Sequence, residues 1–381
     1  MNIALSIAGW HPKMGGPYVS AGQLACACRD LGHDLTLLTL DYGEGTVAPA
    51  PSGVCLKKTK ATLIPGIRQS YIPGARATFE RFIDEANPAV VHDNGLWMSF
   101  NHHIARSAER RGIPRIQSTR GTLDPQALSH RGWKKKIALR LGQQRVLDTV
   151  TCFHATATRE VEAIRALGFK QPIALISNGV EIPKVPAGFD PQATRTALYL
   201  GRIHPIKNLE ALVEAWISVA PKGWRLKIVG NAEMQYDRVL KKIVAQHHAS
   251  EIVEILEPAY GVAKQEMYRS SELFLLVSKT ENFGISAADA MAYGVPVVAS
   301  KNTPWECLEE LDSGWWVDGD LQSLSEVIEA STKLSNDELK AKGSRGRSYA
   351  QEHLSWDSIG RGFISTYQWV LGEADRPDFI Q

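Results

Sequence analysis

The sequence predicts an α/β protein built from two consecutive doubly wound domains, and three observations carry the prediction. At 381 residues the chain exceeds what one ordinary hydrophobic core organises, so two domains are expected. Short apolar runs rich in β-branched residues alternate with amphipathic stretches from end to end. The alternation breaks once near the middle, in a segment rich in Pro and Gly, and then resumes.

Strands are expected at residues 2 to 8, 34 to 40, 88 to 92, 114 to 118 and 173 to 176, then at 196 to 201, 225 to 230, 272 to 277 and 296 to 299. Most are almost continuously apolar, the pattern of parallel strands covered by helices on both faces. Between them, stretches such as Leu209, Leu212, Val213 and Trp216 carry the spacing of a helix that buries one stripe. Residues 178 to 195 hold three prolines and two glycines, which exclude helix and central strand, and they read as the interdomain linker. The expected domains are therefore about 1 to 180 and 190 to 355, and a cleft between two such sheets is the expected ligand site.

Composition narrows the class. Hydrophobic residues make up 44% and charged residues 22%, which argues against disordered, fibrous and disulfide-rich chains. Cys26, Cys28, Cys55, Cys152 and Cys307 are scattered without CxxC spacing, so neither a disulfide framework nor a zinc site is indicated. The start of the chain lacks the basic and apolar regions of a signal peptide, and no apolar run is long enough for a membrane span, so a cytoplasmic location is expected. Charge is uneven: residues 1 to 190 carry a net +8 and the remainder −6. A basic first half suits a phosphate-bearing acceptor or an anionic membrane, with peripheral contact at the inner face of the plasma membrane as a further expectation. Trp133, Lys134, Lys135, Lys136, Arg140 and Arg145, interleaved with Ile137, Leu139 and Leu141, form the stretch best suited to that contact; a solvated helix face is the plain alternative. Nucleic acid is disfavoured, since the basic residues come without a recognised binding signature.

Three features carry chemistry. Gly15-Gly16-Pro17 follows the first strand and opens a helix, where backbone N–H groups can meet an anion; read plainly, it is a turn. Arg202 and Lys207 flank a strand-to-helix turn, where two cations can neutralise a diphosphate, and Asn208 is suited to cap the next helix. The third runs from Glu281 through Asn282, Phe283, Gly284 and Ile285 to Asp289, with Gly294 as the expected helix C-cap. Glu281 falls in the loop and Asp289 about two turns into the helix. A carboxylate accepts bidentate hydrogen bonds from vicinal hydroxyls, so one acid for a hexose and one for a ribose is coherent.

These residues resemble the ExxxxxxxE motif of retaining GT-B glycosyltransferases, in particular glycosyltransferase family 4. Gly201-Arg202 with Lys207 is similar to that family's phosphate-binding pair, and Gly15-Gly16 to its glycine loop. The resemblance implies a GT-B fold, two Rossmann-like domains with a C-terminal helix of about 356 to 381 returning to the first. It implies that Arg202 and Lys207 bind the donor diphosphate, that Glu281 contacts the transferred sugar and that Asp289, a glutamate in the family, holds the ribose. Tyr260, in Glu257-Pro258-Ala259-Tyr260, is where the base is sought.

The first half resembles a bacterial subgroup that builds surface polysaccharides, through Val91-His92-Asp93-Asn94-Gly95-Leu96-Trp97, Ser118 to Pro125, His154-Ala155-Thr156 and Asn178-Gly179-Val180. Several members carry a histidine where this chain has Asn94. Asn94, Trp97 and Arg120 remain candidates for the acceptor or sugar side, while His92 and His154 read as structural. His102-His103 and His247-His248 lack metal-ligand spacing and read as surface residues.

The expected activity is retaining, metal-independent transfer of a hexose from a nucleotide-diphosphate sugar, of UDP-glucose type with GDP-mannose second, to a glycan or lipid-linked acceptor. No cofactor is expected. A nucleotide-sugar epimerase of related fold and a noncatalytic nucleotide-sugar-binding protein are the alternatives; donor interconversion without a glycoside product marks the first, and tight binding without turnover the second.

Overall fold

The structure is a computed structural model that describes residues 1–64, 69–129, 142–184 and 194–381. The chain forms two compact units: Met1–Gly179 together with Trp356–Gln381, and Val180–Ser355.

In the first unit, seven strands pair in parallel in the order β3-β2-β1-β6-β7-β8-β9. They are β1 (Asn2–Ile7), β2 (Asp34–Asp41), β3 (Cys55–Lys60), β6 (Val90–Asn94), β7 (Arg115–Ser118), β8 (Cys152–Ala155) and β9 (Ile173–Leu175). A short antiparallel pair, β4 (Thr62–Leu63) and β5 (Ser70–Tyr71), lies outside this sheet. The chain moves outward from β1 through β2 to β3, then resumes on the other side of β1 with β6. That reversal opens a crevice at the carboxyl ends of β1 and β6, the place where open α/β sheets hold ligands.

The second unit repeats the plan with six parallel strands in the order β12-β11-β10-β13-β14-β15. They are β10 (Arg195–Leu200), β11 (Trp224–Val229), β12 (Val253–Leu256), β13 (Leu273–Leu276), β14 (Val297–Ser300) and β15 (Gly314–Val317). Its reversal falls between β10 and β13, so their carboxyl ends form the equivalent crevice. Leu273, Phe274, Leu275 and Leu276 are all buried, as two covered sheet faces require.

The Trp356–Val370 helix belongs to the first unit and packs on the Gly16–Asp30 helix, with a Cβ on Gly360 falling 3.0 Å from Ala27 Cβ. Ile359, Phe363, Ile364 and Tyr367 thereby share a core with Ile3, Leu5, Leu24 and Ala25.

The chain passes from one unit to the other at Gly179–Val180, within the expected linker, where Asn178 is buried and Val180 N donates to Leu354 O at 2.7 Å. Residues 185–193 lie outside the described residues, as do Trp133 to Arg140 of the basic stretch. His102 and His103 are half-buried, the first bonded to Gln143 at 3.1 Å and the second stacked on Phe79, whereas His247 and His248 are exposed. His92 and His154 lie in the core of the first unit. No helix of the described residues is long and apolar enough to cross a membrane.

Candidate active site

The densest set of predicted residues lies at the crevice of the second unit. After β10 the chain runs through Arg202 into a single 3₁₀ turn, Pro205–Lys207, whose preceding His204 accepts from Ile206 N at 3.1 Å through Nδ1. After β13 it runs through Ser278 and Lys279 to Glu281. Lys279 N donates to Ile206 O at 2.8 Å, tying the two loops together. That tie brings Lys207 Nζ onto Glu281 Oε2, with the side chains only 11% and 18% exposed, and Ser278 Oγ adds a 3.3 Å contact to the same oxygen.

Arg202 is placed differently. Its guanidinium is more than half exposed and pairs with Glu233 at 3.1 Å, so the two predicted cations do not share a partner. Tyr199 OH fixes the Arg202 backbone by donating to its carbonyl at 2.8 Å. Gly201 and Gly230 permit the close approach here, because a Cβ on Gly230 would overlap the Gly201 carbonyl oxygen. Asn208 departs from expectation: it sits at the helix N-cap with φ 58°, but its side chain donates to Gly319 O at 2.8 Å instead of capping.

Gly284 closes the Glu281 loop in the left-handed region, with φ 82°. It precedes the Ile285–Tyr293 helix, whose buried face is Ala287, Ala288, Ala290, Met291 and Ala292 and whose end is capped by Gly294 with φ 78°. Phe283 is buried against Trp305, and Asn282 is half-buried. The first amides of this helix have no partner within it, so they can serve as donors to an anion or sugar oxygen. Asp289 stands one turn into the helix rather than two. It shares the less buried face with Ile285 and Ser286.

The Asp289 carboxylate is bonded by Lys264 Nζ at 2.6 Å. Burial raises its pKa, Lys264 offsets part of the rise and Glu181 adds to it. Lys264 lies on the Gly261–Arg269 helix, whose N-cap is the exposed Tyr260, so Asp289 is joined to the turn that carries Tyr260. Tyr268, 5.8 Å beneath Lys264, stacks on Tyr293 with ring centres 5.3 Å apart and braces the two helices.

The first unit holds the remaining predicted residues at its own crevice. Gly15 has φ 67° and ψ −133°, a conformation that favours glycine, and Gly16 opens the Gly16–Asp30 helix. Asn94, the last residue of β6, is buried and accepts from Arg120 Nη2 at 2.8 Å; Arg120 Nη1 donates to Asn178 Oδ1 at 2.8 Å. Arg120 and Trp97 both take positive φ, 51° and 74°. Glu160 enforces the Arg120 loop by accepting from Thr119 Oγ1 at 2.8 Å, from Thr156 N and Oγ1 at 2.7 Å each, and from Gly121 N. Burial lowers the Arg120 pKa, with Glu160 partly offsetting it.

Behind Asn94 runs a buried chain of polar contacts. His154 Nε2 meets the Ile176 carbonyl at 2.8 Å, so it must carry the proton there and its Nδ1 must accept from Ser118 Oγ at 2.6 Å. Ser118 Oγ then accepts from His92 Nε2 at 2.7 Å, and His92 Nδ1 accepts from Tyr367 OH at 2.7 Å. Both rings are neutral: burial holds His92 well below its ordinary value and His154 down at about 4. Next door, Asp93 accepts from Ser6 at 2.6 Å and Asn101 at 2.9 Å, and burial pushes its carboxyl up to about 6.

Among the described residues no group of His, Cys, Asp and Glu is placed to hold a metal ion. Sequence reasoning missed Ser278, Lys264, Glu233 and Glu160, and it quoted Asn178 without the partner Arg120 that it holds. Ser278 is found by its contact with Glu281 three residues on, and Lys264, Glu233 and Glu160 by partners 25, 31 and 41 residues away.

A fold of two parallel sheets of this kind is shared with known sugar-transferring enzymes. The model of glycosyl transferases group 1 matches residues 187–351, and that of the glycosyl transferase 4-like domain matches residues 15–179. The chain belongs to the GT-B glycosyltransferases of the family 4 type. It is 23% identical over 385 residues to the GDP-mannose:cellobiosyl-diphosphopolyprenol alpha-mannosyltransferase of Xanthomonas oryzae pv. oryzae, covering 98% of each chain. To the D-inositol 3-phosphate glycosyltransferase of Rhodococcus erythropolis it is 22% identical over 387 residues, covering 92% of this chain and 85% of that one. Among solved structures, Anabaena HepE in complex with UDP superposes with a TM-score of 0.74 at 17% identity, over 97% of this chain and 100% of that one. The protein is a glycosyltransferase.

Proposed function

We propose that this glycosyltransferase moves a hexose, with retention of anomeric configuration, from a nucleoside-diphosphate sugar to a hydroxyl of a glycan or lipid-linked glycan in surface-polysaccharide synthesis. The observation that carries the donor assignment is the Lys207–Glu281 pair at the β10/β13 switch point: a cation for the diphosphate beside a carboxylate for the sugar. In this reading Arg202 and Lys207 stabilise the charge that develops on the leaving diphosphate. Asp289 accepts from the ribose hydroxyls, and Tyr260 faces the base. Gly15 and Gly16 supply backbone donors, and Asn94, Trp97 and Arg120 serve the acceptor or sugar side.

The transfer is written as a front-face displacement. The bond from the anomeric carbon to the diphosphate oxygen breaks as the acceptor oxygen bonds to that carbon on the same face. The acceptor proton passes to the leaving phosphate oxygen. The two carboxylates are assigned to sugar and ribose, so neither flanks the bond as a retaining hydrolase's nucleophile does. The two cations supply the neutralisation, and the reaction is proposed to need no metal.

UDP-glucose is the first donor to test, in keeping with the UDP-bound fold relative. GDP-mannose is the second, because a relative matched over almost the whole chain is named for it. A thermal-shift screen of UDP- and GDP-sugars identifies the donor, since a ligand that binds the native state raises the melting temperature by mass action. Transfer to a polyprenyl-diphosphate glycan is then assayed with and without EDTA. Stabilisation by one nucleotide-sugar class and EDTA-resistant transfer are expected; complete, metal-reversible loss overturns metal independence.

A further inference from the structure

Trp305 is 2% exposed, yet its indole Nε1–H has no hydrogen-bond partner among the described residues. Native structures seldom leave a buried donor unmade, so this one calls for an explanation. The ring is fixed against Phe283, with centres 5.3 Å apart. Its Nε1 faces the Glu281–Gly284 loop: the point where a Cβ on Gly284 would stand lies 3.0 Å from Trp305 Nε1 and 3.2 Å from Glu281 Cγ. Glycine leaves that point open between the two side chains.

Glu281 has its Oε2 on Lys207 and Ser278. The carboxylate is bonded directly to Cγ, so rotation about the side chain's own bonds can bring an oxygen toward the indole without moving the loop. We propose that this carboxylate has two stations, and that Trp305 is the positioning residue that defines the second. Without a hexose the carboxylate stays on Lys207 and cancels its charge. When a hexose hydroxyl offers it a hydrogen bond, Glu281 turns to that hydroxyl, Trp305 Nε1–H becomes its second donor, and the Lys207 ammonium is released to the diphosphate. Sugar recognition thereby switches on phosphate recognition. The inference rests on the donor reading above and adds a residue and a sequence of events to it.

The test compares wild type with Trp305→Phe, which keeps a ring and removes the N–H. Calorimetric titrations use UDP-glucose and GDP-mannose in one arm, and UDP and GDP in the other. Affinity for the nucleotide sugar that wild type binds is expected to fall on the order of tenfold, the value of one hydrogen bond to a charged group. Affinity for the free nucleoside diphosphate should stay within about twofold, because Glu281 remains on Lys207 in that complex. Equal weakening of both ligands, or of neither, overturns the role. Wild type binding neither nucleotide sugar overturns the donor reading and the inference with it. Should Trp305→Phe not fold, the ten indole N–H resonances of the wild type decide the matter. One should move downfield with the nucleotide sugar and stay in place with the diphosphate alone; the absence of such a signal overturns the proposal.

Discussion

Lys207 and Glu281 neutralise each other across the switch point of the second sheet, although 74 residues separate them in the chain. A largely buried ion pair differs from a surface one such as Arg202–Glu233, because removing either partner strands the other away from water. Lys207→Ala is therefore expected to reduce transition-state stabilisation by about 2–4 kcal/mol, a loss of roughly 30- to 1000-fold in kcat. Steady-state turnover with the donor identified by thermal shift checks it, and near wild-type kcat would remove Lys207 from the mechanism.

Arg202→Ala is expected to act less on the fold and more on the donor. Its exposed partner Glu233 is left in water, so Tm should change little. Donor KM should rise about tenfold if the guanidinium reaches the diphosphate. A Tm drop as large as that of Lys207→Ala would mark the Arg202–Glu233 contact as structural instead.

Asp289 is bonded by Lys264 at 2.6 Å, and its assigned ligand is the ribose. Asp289→Asn should raise donor KM by about tenfold while kcat falls by less, and it should erase discrimination between a nucleoside diphosphate and its 2′-deoxy form. Competition assays with the two nucleotides read this directly. Undiminished discrimination in the variant would move the ribose contact elsewhere.

Gly284 and Gly15 both have positive φ, but only Gly284 is crowded: an added Cβ would fall 2.7 Å from Leu276 Cδ2, while Gly15 faces open space. Gly15→Ala should cost about 1 kcal/mol, the conformational term alone, and Gly284→Ala several times that. Denaturant titration of the two variants measures the difference.

The buried histidine chain makes stability depend on pH. His92 and His154 are neutral when folded, with pKa values depressed below the ordinary 6.5, to about 4 for His154. Below pH 6.5 the unfolded chain binds protons that the native state refuses. Stability is then complete above about pH 6.5 and declines as pH falls toward 4. His154→Asn should flatten that decline in a Tm-versus-pH series while lowering Tm at pH 7, because the bonds to Ser118 and Ile176 are broken.

Much of the fold was legible because parallel strands buried on both faces are predominantly apolar: β13 is so throughout, and β1, β2 and β10 are mostly buried apolar runs. β3 escaped notice because Cys55-Leu-Lys-Lys-Thr-Lys is an edge strand whose lysines face water. β12 and β15 are edge strands with one buried residue each, and β8, Cys-Phe-His-Ala, is interrupted by His154, so none of the three presents a continuous apolar run. At the site, Glu281, Lys207 and Gly284 stood out through spacing and residue type. Lys264, Glu160 and Trp305 carry no local mark, since each acts on a partner at least two dozen residues away or, for Trp305, on one it does not yet touch. The same limit applies to Asn208, whose type suits a cap but whose side chain finds Gly319, over a hundred residues on.

The last stretch of chain has a bearing on the order of assembly. Phe363 and Tyr367 close the core of the first unit, Tyr367 supplies the hydroxyl that His92 Nδ1 accepts, and Gln381 pairs with Ile173 at the edge of the sheet through two backbone bonds. The Val180–Ser355 unit is one continuous segment, whereas the first unit is assembled from Met1–Gly179 and Trp356–Gln381, so its core stays open until the later segment docks. The half synthesised first is thus the half completed last, and without the Trp356–Val370 helix the apolar residues of β1 and the Gly16–Asp30 helix lack their cover.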